Sequence, residues 1–263
     1  MSEVRLIPSR IRKVLSTMAT HRVRALLMGG QACVFYGAAE FSRDTDLLIL
    51  ADARNLARLE AALRDLQAEP IAIPPLALDY LQRGHAVHFR CHHPEAADIR
   101  VDVMSRLRGV DDFEVLWARR TTLTDTDGTV YELLSLPDLV AAKKTQRSKD
   151  WPMLQRLLEA HYLRHRVDAT PEQQRFWLRE LRTPELLVEA VRRWPELTEQ
   201  IARERPLLHL AKFAQLDRLR EALLAEEQVE ERRDREYWQA LKAELEQLRH
   251  SMRTEPQADE DRQ

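Results

Sequence analysis

The residues of this chain best suited to chemistry are Asp44 and Asp46, which open the apolar run Leu47 to Leu50. On a strand, residues two apart point to the same face, so the two carboxylates project side by side. Adjacent carboxylates at the end of a buried strand repel each other unless a cation lies between them. Hard oxygen ligands of this kind suit Mg²⁺, which takes few protein carboxylates together with substrate phosphates. Upstream, the apolar run Leu26-Leu27-Met28 stops at Gly29-Gly30, and residues 31–37 read as a short helix. A glycine pair before a helix leaves backbone N–H groups unhindered, which suits a phosphate.

A third acid stands in Asp98-Ile99-Arg100-Val101-Asp102-Val103-Met104, which alternates as a strand. Ile99, Val101 and Val103 take one face; Asp98, Arg100, Asp102 and Met104 take the other. An acid flanked by two valines is costly to bury without a partner. That partner is either a cation shared with Asp44 and Asp46, or an arginine such as Arg100.

Glycine pair, spacing and Asp44-x-Asp46 together resemble the nucleotidyltransferase superfamily that includes DNA polymerase beta. Within it, residues 20–150 look most like the bacterial AbiEii-type proteins, some of which are toxins. The resemblance implies an α+β fold: a nucleotidyltransferase-type mixed sheet flanked by helices, followed by an all-helical C-terminal domain. It implies catalytic, metal-ligating roles for Asp44, Asp46 and Asp102, two Mg²⁺ ions (or Mn²⁺), and an NTP as substrate. Gly29, Gly30 and Ser42 would meet the nucleotide. By the same resemblance, Lys143 or Lys144 would bind its phosphates, with the pair Lys149-Asp150 beside them; Asp150 would orient a lysine or its helix. The implied reaction moves an NMP from an NTP to an acceptor hydroxyl on tRNA, other RNA or a protein. A toxin–antitoxin or phage-defence role and a cognate antitoxin partner follow from the same likeness. The alternative is a non-catalytic, nucleotide-sensing or partner-binding module on the same fold. The chain departs from the family pattern in having Gly-Gly where Gly-Ser is common, and Glu40 near the place of a customary arginine.

Acidic and basic residues nearly cancel, for a formal charge of −2 over 263 residues, so no global field argues for nucleic acid. Arg147, Arg156, Arg164 and Arg166 remain possible local phosphate contacts. Cys33 and Cys91 lie in apolar segments and read as free buried thiols. His85 and His88 fall on opposite faces of a strand and cannot easily share zinc. His161 and His165 lack the glutamate of an HExxH motif. No run approaches transmembrane length and no signal peptide is evident, so the expectation is a cytoplasmic protein without membrane contact.

These residues need a scaffold, and the hydrophobic spacing supplies one. Ile11, Val14, Leu15 and Met18 mark a helix that begins at Ser9 and covers the sheet. Residues 22–28 read as the first strand. Leu56, Leu59, Leu63 and Leu66 stripe a second helix. The three prolines of residues 69–75 suggest an extended connection, and residues 85–91 another strand. Residues 112–119 read as a helix. A hairpin is expected from 121–124 and 129–133 around Asp125-Thr126-Asp127-Gly128. A basic helix follows Ser135 and runs to Asp150. Beyond it the pattern is helical, with starts at Thr170-Pro171 and Thr183-Pro184 and breaks near Pro195 and Pro206. Domains are expected at 1–150, 151–252 and a disordered tail at 253–263. The last helix, from about Val229 to Met252, carries a seam of Trp238, Leu241, Leu245, Leu248 and Met252. That seam packs on its own chain or mediates homo-oligomer contacts.

Overall fold

The computed structural model describes residues 9–39, 41–125 and 128–254, with side chains to Ser251. Glu40, Thr126, Asp127 and Glu255 onward lie outside the described residues, so the middle of the expected turn and most of the expected tail do too. Helices and one mixed sheet make up the fold. The chain divides into two compact units, the first within Met1–Ala32, Phe41–Ser135 and Glu236–Gln263, the second Cys33–Glu40 and Leu136–Arg235.

The first unit holds the seven-stranded sheet. Its strands are β1 (Ala25–Met28), β2 (Asp44–Ile49), β3 (Ala68–Pro70), β4 (Val87–Cys91), β5 (Arg100–Met104), β6 (Thr121–Thr124) and β7 (Val130–Leu133). Their spatial order is β3-β4-β5-β2-β1-β7-β6. β2 runs parallel to β5 and β1 parallel to β7; the remaining neighbours are antiparallel. β1 and β2 are central, and the side chains of Leu26, Leu27, Leu47, Leu48 and Ile49 are buried. Helix α1 (Ser9–Thr20) buries Ile11, Val14, Leu15 and Met18, the stripe its spacing requires. The first strand starts three residues later than residue 22 because Arg22 is left-handed, φ 53°, which breaks an extended run.

Helix α2 (Gly29–Phe35) follows β1 without an intervening loop. Helix α3 (Ala53–Asp65) is capped by Asp52, which accepts from the Asn55 N–H at 2.6 Å. Asn55 then ties the end of β2 to the start of β1. Its amide donates to the carbonyls of Leu50 and Arg24 and accepts from the Arg24 N–H at 2.7 Å. The proline-rich connection does begin with a strand, the short edge strand β3. Pro70 is tolerated at a sheet edge, where the missing N–H breaks no central ladder. Helix α4 (Leu78–Arg83) precedes β4, and a 3₁₀ turn (Pro94–Ala96) precedes β5. Helix α5 (Phe113–Ala118) leads into the β6–β7 hairpin, whose ends pair Thr124 with Val130.

In the second unit, α6 (Leu136–Ala142) stops before the lysines. The expected basic helix is therefore a short helix plus a loop, residues 143–149. Thr145 explains the break: its hydroxyl donates to Asp150 at 2.6 Å and accepts from the Arg147 N–H, and its carbonyl accepts from Trp151. Such local side-chain bonds compete with the helical ladder. Then come α7 (Asp150–His165), α8 (Pro171–Glu180), α9 (Pro184–Arg193), α10 (Pro195–Ile201) and α11 (Leu208–Lys212). Thr170 and Gln173 form a full capping box on α8. Trp177, Tyr162, Leu154, Leu157 and Leu158 are wholly buried at the core of this unit.

The last helix, α12 (Leu216–Thr254), is 39 residues long rather than starting near Val229. No glycine or proline interrupts it. Its residues to Arg235 belong to the second unit and those from Glu236 to the first. In the first unit Leu241 of the expected seam meets its own chain. Gly84, left-handed at φ 102°, lies against Tyr237 and Leu241, and Glu244 pairs with Arg83 and with His85, the latter at 2.7 Å. No described helix is long and apolar enough to cross a membrane.

Candidate functional site

The register of the central strands assembles the site. Met28, the last residue of β1, pairs with Asp46 on β2, and Asp46 pairs with Asp102 on β5. Asp44 pairs with Arg100, and on the far side of β5 Asp102 pairs with His88. In-register neighbours share a face of a sheet. One face therefore presents Asp44, Asp46, Asp102, Arg100, His88 and Arg90, while Val101 and Val103 are buried on the other. Asp98, the other acid of that segment, is left-handed at φ 66° and precedes the strand, so it drops out of the row.

The glycine corner is shaped around this row. Gly29 has φ 67°, and a Cβ there would stand 2.8 Å from the Asp46 Cβ and closer still to its carboxylate. At Gly30 a Cβ would meet the Ser42 hydroxyl at 2.8 Å. Ser42 in turn donates to the Asp44 carbonyl at 3.1 Å, which fixes the entry into β2. Gly29 is thus required by its left-handed backbone and the close approach of Asp46, whereas Gly30 meets only the movable Ser42 hydroxyl.

Asp102 is the most constrained member. Its Oδ1 accepts from Arg100 Nε at 2.7 Å and lies 2.8 Å from His88 Nδ1. Arg100 also reaches His88 Nδ1, at 3.0 Å. Burial alone would raise the Asp102 carboxyl; the bonds from His88 and Arg100 outweigh it and hold the group below the ordinary carboxylate range. The same bond raises Arg100, with further contributions from Asp44 and Asp46, so the guanidinium feels the whole row. The arginine partner weighed for Asp102 from sequence is therefore present. Among the described residues, no three His, Cys, Asp or Glu side chains converge into a metal cage. Asp44, Asp46 and Asp102 share one face, and Asp102 is bonded to Arg100 and His88. That donor set, all oxygen and one side exposed at Asp44, fits a hard divalent ion that keeps most of its waters.

Lys143, Lys144, Lys149 and Asp150 belong to the second unit. Lys143 is buried and pairs with buried Asp150 at 3.3 Å. Thr145 and Arg147 also donate to Asp150. Burial would raise the Asp150 carboxyl, but Lys143, Thr145 and Arg147 together depress it. Asp150 thus gathers Lys143, Thr145 and Arg147 around one carboxylate. Lys144 bonds Glu180 at 2.7 Å, and Lys149 is exposed. Of the four arginines, Arg147 is held by Asp150 and Arg166 by Glu189, whereas Arg156 and Arg164 are exposed.

A cavity of about 330 Å³ lies elsewhere in the first unit, lined by Leu15, Met18, Leu27, Leu47, Trp117 and Tyr131. Leu47 alternates with Asp46, so this cavity is on the opposite face of β2 and takes no part in the carboxylate row. Sequence reading missed His88 as a partner of Asp102 and missed Asn55. Strand alternation put His88 on a face, but only the β4–β5 register shows what lies opposite.

The chain matches no protein-family model and no curated protein.

Proposed function

We propose that the protein is a divalent-cation-dependent nucleotidyltransferase, moving an NMP from an NTP to an acceptor hydroxyl, with release of pyrophosphate. The observation that carries this reading is the placement of Asp46: in register with Asp102, beside Asp44, and directly beneath Gly29. A bound divalent ion would supply neutralisation of triphosphate charge and polarisation of the attacked phosphorus. Asp44 and Asp46 would hold that ion. Gly29 makes room for the Asp46 side chain, and Ser42 fixes the strand entry. Asp102, held below the ordinary carboxylate range, is a poor proton acceptor and serves as fixed negative charge. Lys143, buried against Asp150, serves the loop itself.

One observation favours the second reading, a non-catalytic nucleotide-binding or partner-binding module: the Arg100 and His88 bonds to Asp102 take one oxygen of the third carboxylate. The experiment that separates the two is incubation with NTPs radiolabelled at the α-phosphorus, together with total cellular RNA and protein. A transferase yields a labelled acceptor that is lost in Asp46→Asn. NTP binding without transfer to any acceptor supports the module.

A further inference from the structure

The cavity of about 330 Å³ on the other face of β2 opens where two strands of the sheet part. β1 meets β2 in register from Ala25 to Met28, but meets β7 only at Leu27 and Leu133. Towards the start of β1, residues 22–25 and 130–132 line the cavity from either side. Ala19 and Ala25 fill little of it, and Leu15, Met18, Leu27 and Trp117 keep the wall apolar.

Three charged residues also line it: Arg24, Glu132 and Arg22. Arg24 donates to both oxygens of Glu114, each at 2.7 Å. Glu132 accepts from Arg120 at 2.7 Å and from the Thr122 hydroxyl. Those two charges are matched by their partners. Arg22 closes helix α1 with a left-handed backbone, φ 53°. Its N–H donates to the Ala19 carbonyl at 2.9 Å, and the Val23 N–H donates to Met18 at 3.0 Å. Glycine is the usual residue at that point of a helix end, because a side chain is strained there. The arginine side chain found instead is exposed, and its guanidinium makes no hydrogen bond or ion pair among the described residues. Arg58, which donates to the Arg22 carbonyl at 3.2 Å, adds positive charge beside it, while His21 is paired with Asp65.

We propose that this cavity is a binding site for a small amphiphilic monoanion, with an apolar body in the pocket and a carboxylate on Arg22. The volume is about twice the roughly 150 Å³ of an engineered cavity that holds benzene, which suits a two-ring body. The apolar wall selects such a body, and the unpaired guanidinium at the rim selects the anion. The site stands apart from the proposed transfer reaction and does not depend on it.

The test is calorimetric titration of the full-length protein at low salt with 2-naphthoate, and with the neutral 2-naphthamide as its charge control. Wild type is expected to bind one naphthoate per chain, about tenfold or more tightly than the amide, the worth of one charge-assisted hydrogen bond. Arg22→Gly is expected to bring the two affinities together, and glycine suits the left-handed backbone there. Ala25→Leu fills the cavity and is expected to abolish binding of both compounds. Should that variant fold poorly by circular dichroism, Val130→Trp at the exposed rim replaces it. No saturable binding at millimolar naphthoate would overturn the proposal. So would equal affinities in wild type, a preference that survives Arg22→Gly, or undiminished binding in the filled variant.

Discussion

Gly29→Ala isolates the geometry on which the site depends. The backbone at Gly29 is left-handed, φ 67°, and the position a Cβ would take is filled by the Asp46 side chain. Holding an L-residue in that region costs about 1–2 kcal/mol. Moving Asp46 away from its well costs a further ~0.5–1.5 kcal/mol. The sum, about 1.5–3.5 kcal/mol, corresponds to a fall in Tm of roughly 3–14 °C for a protein of this size. Gly30→Ala is the internal control. Its backbone is not left-handed, the clash is with the movable Ser42 hydroxyl, and alanine is favoured over glycine in a helix by ~0.5–1 kcal/mol. The two contributions at Gly30 nearly cancel, and Gly30→Ala combined with Ser42→Ala should show a favourable coupling on the order of 1 kcal/mol. Urea denaturation followed by circular dichroism reads all of these. If Gly29→Ala is no less stable than Gly30→Ala, the packing of Asp46 beneath the corner is refuted. Gly29→Ala should also weaken Mn²⁺ binding at Asp44 and Asp46, because the carboxylate is pushed aside.

Removing Asp150 leaves Lys143 buried without its partner, so Asp150→Ala is expected to lose about 3–5 kcal/mol at neutral pH, measured by chemical denaturation. The folded Asp150 carboxyl is depressed, so its stabilisation is complete above the unfolded value of about 3.9 and is lost as pH falls through the folded one. The gap between wild type and Asp150→Ala should therefore narrow only in acid. His161, pushed down to about 4 by burial and by His165 and Arg164, is neutral in the fold. The unfolded chain takes up that proton first, so stability falls as pH drops from about 6.5 towards 4 and then levels. His161→Gln, which can still accept from the Trp177 indole, should flatten this slope in thermal melts at stepped pH. Asn55→Ala breaks three bonds to the β1–β2 backbone and should cost about 2–4 kcal/mol in the same denaturation assay.

Much of this site is legible in the chain because it depends on local rules. Alternation alone put Asp44 with Asp46 and separated Asp102 from Val101 and Val103, and the helical spacing of Ile11, Val14, Leu15 and Met18 marked the buried face of α1. The less legible features depend on which strand lies beside which. Asp102 faces Asp46 on one side and His88 on the other only because β5 lies between β2 and β4. Arg100 and Asp102 were visibly on one face, yet two residues' spacing does not say whether an acid there ligates a metal or holds a guanidinium. The basic run after Ala142 has no glycine or proline to announce a break. Its helix ends because Thr145, Arg147 and Lys143 all turn to Asp150, a contest between side chain and backbone that composition does not reveal. For α12 the reverse holds: the absence of any glycine or proline from Leu216 to Glu255 is what allows one long helix, whose residues from Glu236 belong to the first unit.

The central claim is that the face bearing Asp44 and Asp46, under Gly29 and Gly30, receives a triphosphate with a divalent ion. The most direct measurement is a crystal of the protein grown with Mn²⁺ and a non-hydrolysable NTP, read by manganese anomalous scattering. The account predicts an anomalous peak bridging the Asp44 and Asp46 carboxylates, with the triphosphate against the glycine corner. Nucleotide bound elsewhere, with no manganese at those two side chains, would contradict it.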